Sequence, residues 1–316
     1  MKILVTGSSG FIGYHLTKKL ISLGHKVTGI DNHNDYYEQK LKELRRGSLE
    51  KIGLKFYQTD INNIDSLNES FDLIVHLAAQ AGVRVLDKKI YQISNVNGFK
   101  AMCNFAKKNR VSKIIYASSS SVYSDNLKSS FIEDTTKLSP KSFYGETKLF
   151  NENYAKKFSK ENDVCMIGLR FFSVFGPFGR PDMAYYLFSK NLLENKKITV
   201  FNEGATQRDM TYIDDIVDGI IQTKHFLIEN YENVDHEIFN LGNETPIKTI
   251  DMLQALQKKL KKTANIVYQT SDNESKFTKA NISKARRILG YNPQINFNKG
   301  IDNFIRWLID YEKRKK

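Results

Sequence analysis

No apolar run in these 316 residues approaches the ~18 that a membrane-crossing helix needs, and Met1 to Gly13 lacks the form of a signal peptide. A cytoplasmic protein with no membrane partner is therefore expected. There are only two cysteines, Cys103 and Cys165, and they have no companions at metal-ligand spacing. Reduced core residues are the expectation for them, and the six scattered histidines add no case for a metal. Prolines number five, and neither a low-complexity tract nor an internal repeat is found, which argues against a linker-rich or solenoid chain. Acidic residues are outnumbered 35 to 48, leaving a net charge of +13. Such a balance fits a nucleic-acid surface, an anionic substrate or a lysine-rich solvated exterior. The lysines spread along expected helix faces, clustering only at 258–262 and 313–316, with no aromatic-interleaved basic stripe. The solvated exterior is preferred, and no nucleic-acid partner is expected.

What is present begins at once. Lys2-Ile-Leu-Val-Thr-Gly7-Ser-Ser-Gly10-Phe-Ile-Gly13 reads as a short buried strand turning on glycines into a helix. Gly7 permits the tight turn, Gly10 lets backbone approach a pyrophosphate, and Gly13 lets the helix pack on the strand. The helix start, with Phe11 and Ile12, is a ready anion site. Three glycines alone are a weak signal, since any strand, turn and helix can carry them. The apolar face Phe11, Ile12, Leu16, Leu20, Leu23 and a second strand, Lys26 to Ile30, strengthen it. That strand ends at Asp31, 21 residues beyond Gly10, where an acid meets the adenine ribose hydroxyls. Asp31 would repel a 2′-phosphate, so NAD is expected rather than NADP.

Strands and helices then alternate, predicting an α/β fold with a Rossmann-type doubly wound parallel sheet. Candidate strands are 54–58, 72–76, 113–117 and 164–169, with long helices at about 95–108 and 144–161 before the last two. Ligands in such folds bind beyond the carboxyl ends of the strands. That singles out Asp60 and Ile61, Leu77, Ala78 and Ala79, the run Ser118–Ser121, and residues 170–173. Tyr144 lies four residues before Lys148, so both share one helix face. Tyr14/Lys18, Tyr36/Lys40, Tyr186/Lys190 and Tyr311/Lys315 have the same spacing, so its companions, not its spacing, select Tyr144/Lys148.

Together, Thr6-Gly-Ser-Ser-Gly-Phe-Ile-Gly13, Asp60-Ile61, His76-Leu-Ala-Ala79, Ser118–Tyr123 and Tyr144-Gly-Glu-Thr-Lys148 resemble the extended short-chain dehydrogenase/reductases that act on nucleotide sugars. Four further segments resemble the UDP-glucuronate 4-epimerases more narrowly: Asp31-Asn-His-Asn-Asp-Tyr-Tyr37, Gln80-Ala-Gly-Val-Arg84, Arg170-Phe-Phe-Ser-Val-Phe-Gly-Pro-Phe-Gly-Arg-Pro-Asp182 and Arg208-Asp-Met-Thr-Tyr-Ile-Asp-Asp215. The resemblance implies an NAD cofactor that also meets Asn32. It implies that Tyr144 is the base at the sugar 4-hydroxyl, with Lys148 and the nicotinamide ring lowering its pKa from about 10 toward ~7. Ser119 matches the family's catalytic hydroxyl, although Ser118–Ser121 offers four interchangeable ones. Related dehydratases and decarboxylases carry acids where this chain has Ser120 and Ser121, and elimination needs a donor and base that this run lacks.

A 4-keto uronate is a β-keto acid that loses CO₂ readily, so an epimerase must restrain the carboxylate. Ser173 and Arg180 stand where the uronate epimerases hold it, as a hydroxyl and a bidentate cation. Arg84 is expected at the phosphates or in a loop cap, Phe201 near the uracil or in the core, and Arg208 on the pyrophosphate. Asp209, Asp214 and Asp215 read as local acceptors and helix N-terminal acids. The resemblance frays at Asn273–Asn281 and in the short, proline-free segment from Arg84 to Asn95. A dinucleotide domain over 1–170, with a return helix near 213–229, and a sugar-binding region over 171–316 are expected. The activity expected is NAD-dependent 4-epimerisation of a UDP-sugar, foremost UDP-glucuronate to UDP-galacturonate, in a homodimer formed through the two long helices. The rivals are a UDP-N-acetylhexosamine (or its uronate) epimerase, a UDP-glucuronate decarboxylase and a non-catalytic NAD sensor.

Overall fold

The structure, a computed structural model, describes residues 1–83, 85–124, 129–134, 136–271 and 276–315. Its main sheet begins with β1 (Lys2–Thr6), β2 (Lys26–Asp31), β3 (Lys55–Gln58), β4 (Leu73–His76), β5 (Lys113–Ser119) and β6 (Cys165–Phe171). Smaller sheets use β7 (Ser173–Phe175), β8 (Lys197–Phe201), β9 (Gln207–Tyr212), β11 (Pro246–Lys248) and β12 (Asn265–Gln269). The remaining strand, β10 (His236–Leu241), returns to the main sheet beside β6.

All seven main strands run parallel, in the order β3-β2-β1-β4-β5-β6-β10. Both faces are covered, so the strands read as continuous apolar runs. Ile3 and Val5 pack on one side with α1 (Phe11–Ser22), and Leu4 on the other with α4 (Gly98–Lys108), whose Phe99, Met102 and Phe105 are fully buried. Strand order reverses between β1 and β4, which opens a crevice beyond their carboxyl ends.

The other helices are α2 (Gln39–Glu50), α3 (Lys88–Tyr91), α5 (Phe143–Asn162), α6 (Ala184–Leu193), α7 (Ile213–Asn230), α8 (Thr249–Leu260), α9 (Ser283–Leu289) and α10 (Phe297–Arg314). The return helix α7 packs on α1, but it does not return alone, because β10 follows it into the main sheet with Phe239 and Leu241 fully buried. The helix expected from Asn95 instead begins with a π-helical stretch, Gln92–Asn97. No helix among the described residues is long and apolar enough to cross a membrane.

Candidate active site

One cleft runs from the glycine loop to the end of β5. At its floor Gly7 has φ +72°, and a Cβ there would stand 2.8 Å from the Ala78 nitrogen; a Cβ on Gly13 would strike the Gly7 carbonyl. Helix α1 starts at Gly10 with no side-chain cap and no acid in its first turn. Its free N–H groups suit an anion. Asp31, ending β2, accepts from the nitrogens of Ser9 and His33 at 3.2 and 2.9 Å. Asp60 accepts from Asn32 Nδ2 at 2.8 Å and from the Asn62 nitrogen at 2.9 Å. Burial opposes its charge, yet these hydrogen bonds hold its pKa below the usual carboxylate value. Phe11, Ile12, Ile61, Leu77 and Ala79 complete this wall. A glycine cradle, an uncapped helix start and an acid at the second strand's end together fit a dinucleotide of the NAD type.

At the other end, three consecutive β5 residues each meet one member of a row spaced by four on α5. Ala117 O accepts from Lys148 Nζ at 2.8 Å, Ser118 Oγ donates to Glu152 Oε1 at 2.5 Å, and Ser119 is hydrogen-bonded with Tyr144. Of the hydroxyls in Ser118–Ser121, Ser119's is thus the one on the phenol, while Ser118's is occupied by Glu152. Ser142 caps the helix just ahead, accepting from the Gly145 nitrogen at 3.1 Å.

Lys148 Nζ lies 5.9 Å from the Tyr144 ring centre, and burial pulls its pKa down to about 8, with Glu152 opposing. Burial raises the Tyr144 pKa; the Arg180 charge and then the Ser119 hydrogen bond oppose that, and Tyr91 adds to it. The Lys148 ammonium donates to the Ala117 carbonyl and stays beside the Tyr144 ring.

Ser120, Ser121, Ser173 and Arg180 line the same cleft. Arg180 donates through Nε and Nη2 to Asp182 at 3.0 and 2.6 Å, which uses two of a guanidinium's five N–H donors. Phe201 and Arg208 stand elsewhere, half-buried at the end of β8 and on β9, outside this lining. Arg84 lies outside the described residues, as does part of the segment 273–281.

Asp209 accepts from the nitrogens of Asn243, Glu244 and Ala280 at 2.7 to 3.0 Å, and Asp214 and Asp215 sit in the first turn of α7. Sequence reasoning missed Asn95, in the π-helical stretch, which accepts from the Gln80 nitrogen at 2.8 Å and donates to Thr147 at 3.1 Å. It also missed Glu152, although the spacing Tyr144, Lys148, Glu152 was there to be read.

A family model described as the NAD dependent epimerase/dehydratase family matches residues 3–242. An uncharacterised protein of Methanocaldococcus jannaschii is 42% identical, over 98% of this chain and 96% of that one. UDP-glucuronate 4-epimerase 4 of Arabidopsis thaliana is 39% identical, over 98% of this chain and 75% of its own length. The structure of UDP-glucuronic acid 4-epimerase from Bacillus cereus, in complex with UDP-glucuronic acid and NAD, matches with a TM-score of 0.91 at 33% identity, covering 98% of this chain and 100% of the other.

Proposed function

Because the chain belongs to the NAD-dependent epimerase/dehydratase family and NAD is its cofactor, we propose that it interconverts UDP-glucuronate and UDP-galacturonate by epimerisation at C4. The observation that carries the substrate is Arg180, a cationic fork whose charge bears on the Tyr144 phenol at the sugar end of the cleft. A group that holds a carboxylate and also bears on the base suits a sugar whose carboxylate is attached to C5, the ring carbon next to the reacting C4. NAD accepts and returns a hydride when bound.

Tyr144 removes the 4-hydroxyl proton and gives it back, Ser119 holds the shared oxygen, and Lys148 supplies a buried ammonium fixed by Ala117. Arg180 and Ser173 keep the uronate carboxylate out of the geometry in which the β-keto acid loses CO₂. The cofactor-binding half, in this reading, is 1–170 with α7 and β10, and residues 171–316 otherwise bind the nucleotide sugar. A homodimer through α4 and α5 belongs with it. Ile93, in the stretch just before α4, and Phe150, on α5, are exposed apolar residues.

The test is proton NMR of UDP-glucuronate with the purified protein and NAD. A UDP-galacturonate anomeric signal without CO₂ is expected. UDP-xylose with CO₂ would make the protein a decarboxylase, and turnover of UDP-N-acetylglucosamine alone would move it to the hexosamine epimerases.

A further inference from the structure

Two bridges cross from the cofactor side of the cleft to the segment that carries Arg180. In the first, Tyr36 OH donates to Asp182 Oδ2 at 3.0 Å, and the same carboxylate holds Arg180 through both of its oxygens. In the second, Arg45 on α2 donates through Nη2 to the carbonyls of Phe178 at 2.5 Å and Gly179 at 3.2 Å. Its Nη1 reaches back to the Ser9 carbonyl at 3.0 Å and the Tyr37 hydroxyl at 2.7 Å. The near ends of both bridges belong to the cofactor wall. Ser9 stands between the cradle glycines, and Asn34, Tyr36, Tyr37 and Lys42 line the cleft after Asp31.

The second bridge is built at a cost. Arg45 is fully buried, its hydrogen bonds go to three carbonyls and a hydroxyl, none of them charged, and its Nε has no hydrogen-bond partner. A buried guanidinium in that state is held only by the loop groups it bonds, so those groups must be in place together. Phe178, whose carbonyl it holds, is a non-glycine residue at φ 56°, a conformation that persists only where its surroundings impose it. Gly82 packs onto the same junction, since a Cβ there would meet Tyr36 OH at 2.7 Å and Arg180 Nη2 at 3.2 Å.

We propose that Tyr36 and Arg45 are positioning residues that make the Arg180 segment an extension of the cofactor site, so that NAD binding orders Arg180 before the sugar arrives. NAD orders the Asp31–Tyr37 loop, the loop holds Asp182 and the carbonyls of Phe178 and Gly179, and these hold Arg180. By linkage, a ligand that fastens Arg180 tightens NAD by the same factor. Naming Arg180 the sugar's anchor rests on the function proposed above, but the following test uses no sugar, so failure of the uronate assignment leaves its result readable.

Amide hydrogen exchange is followed in the full chain, NAD-free and NAD-saturated, for the wild type, Tyr36→Phe and Arg45→Lys. In the wild type, NAD is expected to slow exchange across residues 177–183 by about fivefold or more, as well as across the glycine loop 7–13. In each variant, at NAD concentrations that fully protect 7–13, the slowing across 177–183 should drop by at least half. Tyr36→Phe removes one hydroxyl and keeps the test sound if Arg45→Lys does not fold. No NAD-dependent slowing across 177–183 in the wild type, or full slowing retained in Tyr36→Phe and in any folded Arg45→Lys, would overturn the proposal.

Discussion

Arg170 on β6 grips Glu152 on α5 with two parallel hydrogen bonds, Nε to Oε1 at 2.9 Å and Nη2 to Oε2 at 2.8 Å, and both side chains are almost wholly buried. Ser118 adds a third bond to the same carboxylate, and Tyr123 takes Arg170 Nη1 at 2.8 Å. The pair thereby fixes the helix that carries Tyr144 and Lys148 against the strand that carries Ser119. Removing one partner leaves an uncompensated buried charge. Arg170→Met or Glu152→Leu alone should each cost about 3–5 kcal/mol in urea unfolding, while the double replacement should regain most of it. Single variants as stable as the wild type would show that the pair does not hold the helix.

Lys148 sets the expected pH behaviour. Its pKa is pulled down to about 8 by burial, so the ammonium is present below that pH and lost above it. If Tyr144 works beside an ammonium, kcat/KM should fall as pH rises through about 8. Lys148→Arg should be slower but carry that limb upward by more than a unit, because a guanidinium keeps its proton. The sign for stability is opposite. A base with a folded pKa below its ordinary 10.5 penalises the fold while charged, so this residue's contribution should improve as pH rises from 8 toward 10.5. An alkaline limb unmoved in Lys148→Arg would assign it to another group.

The parts of the site that were legible in sequence are those whose meaning is local. Gly7 to Gly13 needs only a strand and the helix after it, and Tyr144/Lys148 needs one helical turn. Ser119 was legible as one of four serines; choosing it needed the register of β5 against α5. Tyr36 and Asp182, 146 residues apart, and Arg45 and Phe178, 133 apart, meet only through the tertiary fold. No periodicity marks them. Strand β10 was missed because its joining of the main sheet is decided by the open edge of β6. Phe201, expected near the uracil or in the core, and Arg208, expected on the pyrophosphate, depend on where a bound nucleotide lies, which no local pattern encodes.

Arg180 and Ser173 are the residues proposed to separate epimerisation from decarboxylation. If they restrain the carboxylate, Arg180→Leu should release CO₂ and form UDP-xylose from UDP-glucuronate in a larger share of turnovers than the wild type. Its KM for UDP-glucuronate should rise by about ten- to a hundredfold, as expected for the loss of a charge-assisted hydrogen bond of about 1.5–3 kcal/mol. Gas release and the product ratio by NMR decide it. Unchanged partition and unchanged KM in Arg180→Leu would remove Arg180 from the carboxylate site.

Tyr144→Phe divides an enzyme from a sensor that has kept the fold without turnover. The phenyl ring preserves the packing against Tyr91, whose ring centre is 6.0 Å away, and leaves Ser119 on β5 and Lys148 on α5 in place, while the hydroxyl proposed to exchange the proton is gone. General acid–base groups contribute roughly 10²–10⁴-fold, so epimerase turnover should drop by that factor. NAD content, read from absorbance of the purified protein, should stay at the wild-type level, because the cradle at Gly7, Gly10 and Gly13 is untouched. A drop in NAD content equal to the drop in rate would make Tyr144 a cofactor anchor and not the base. Full turnover in the variant would place the proton on another group.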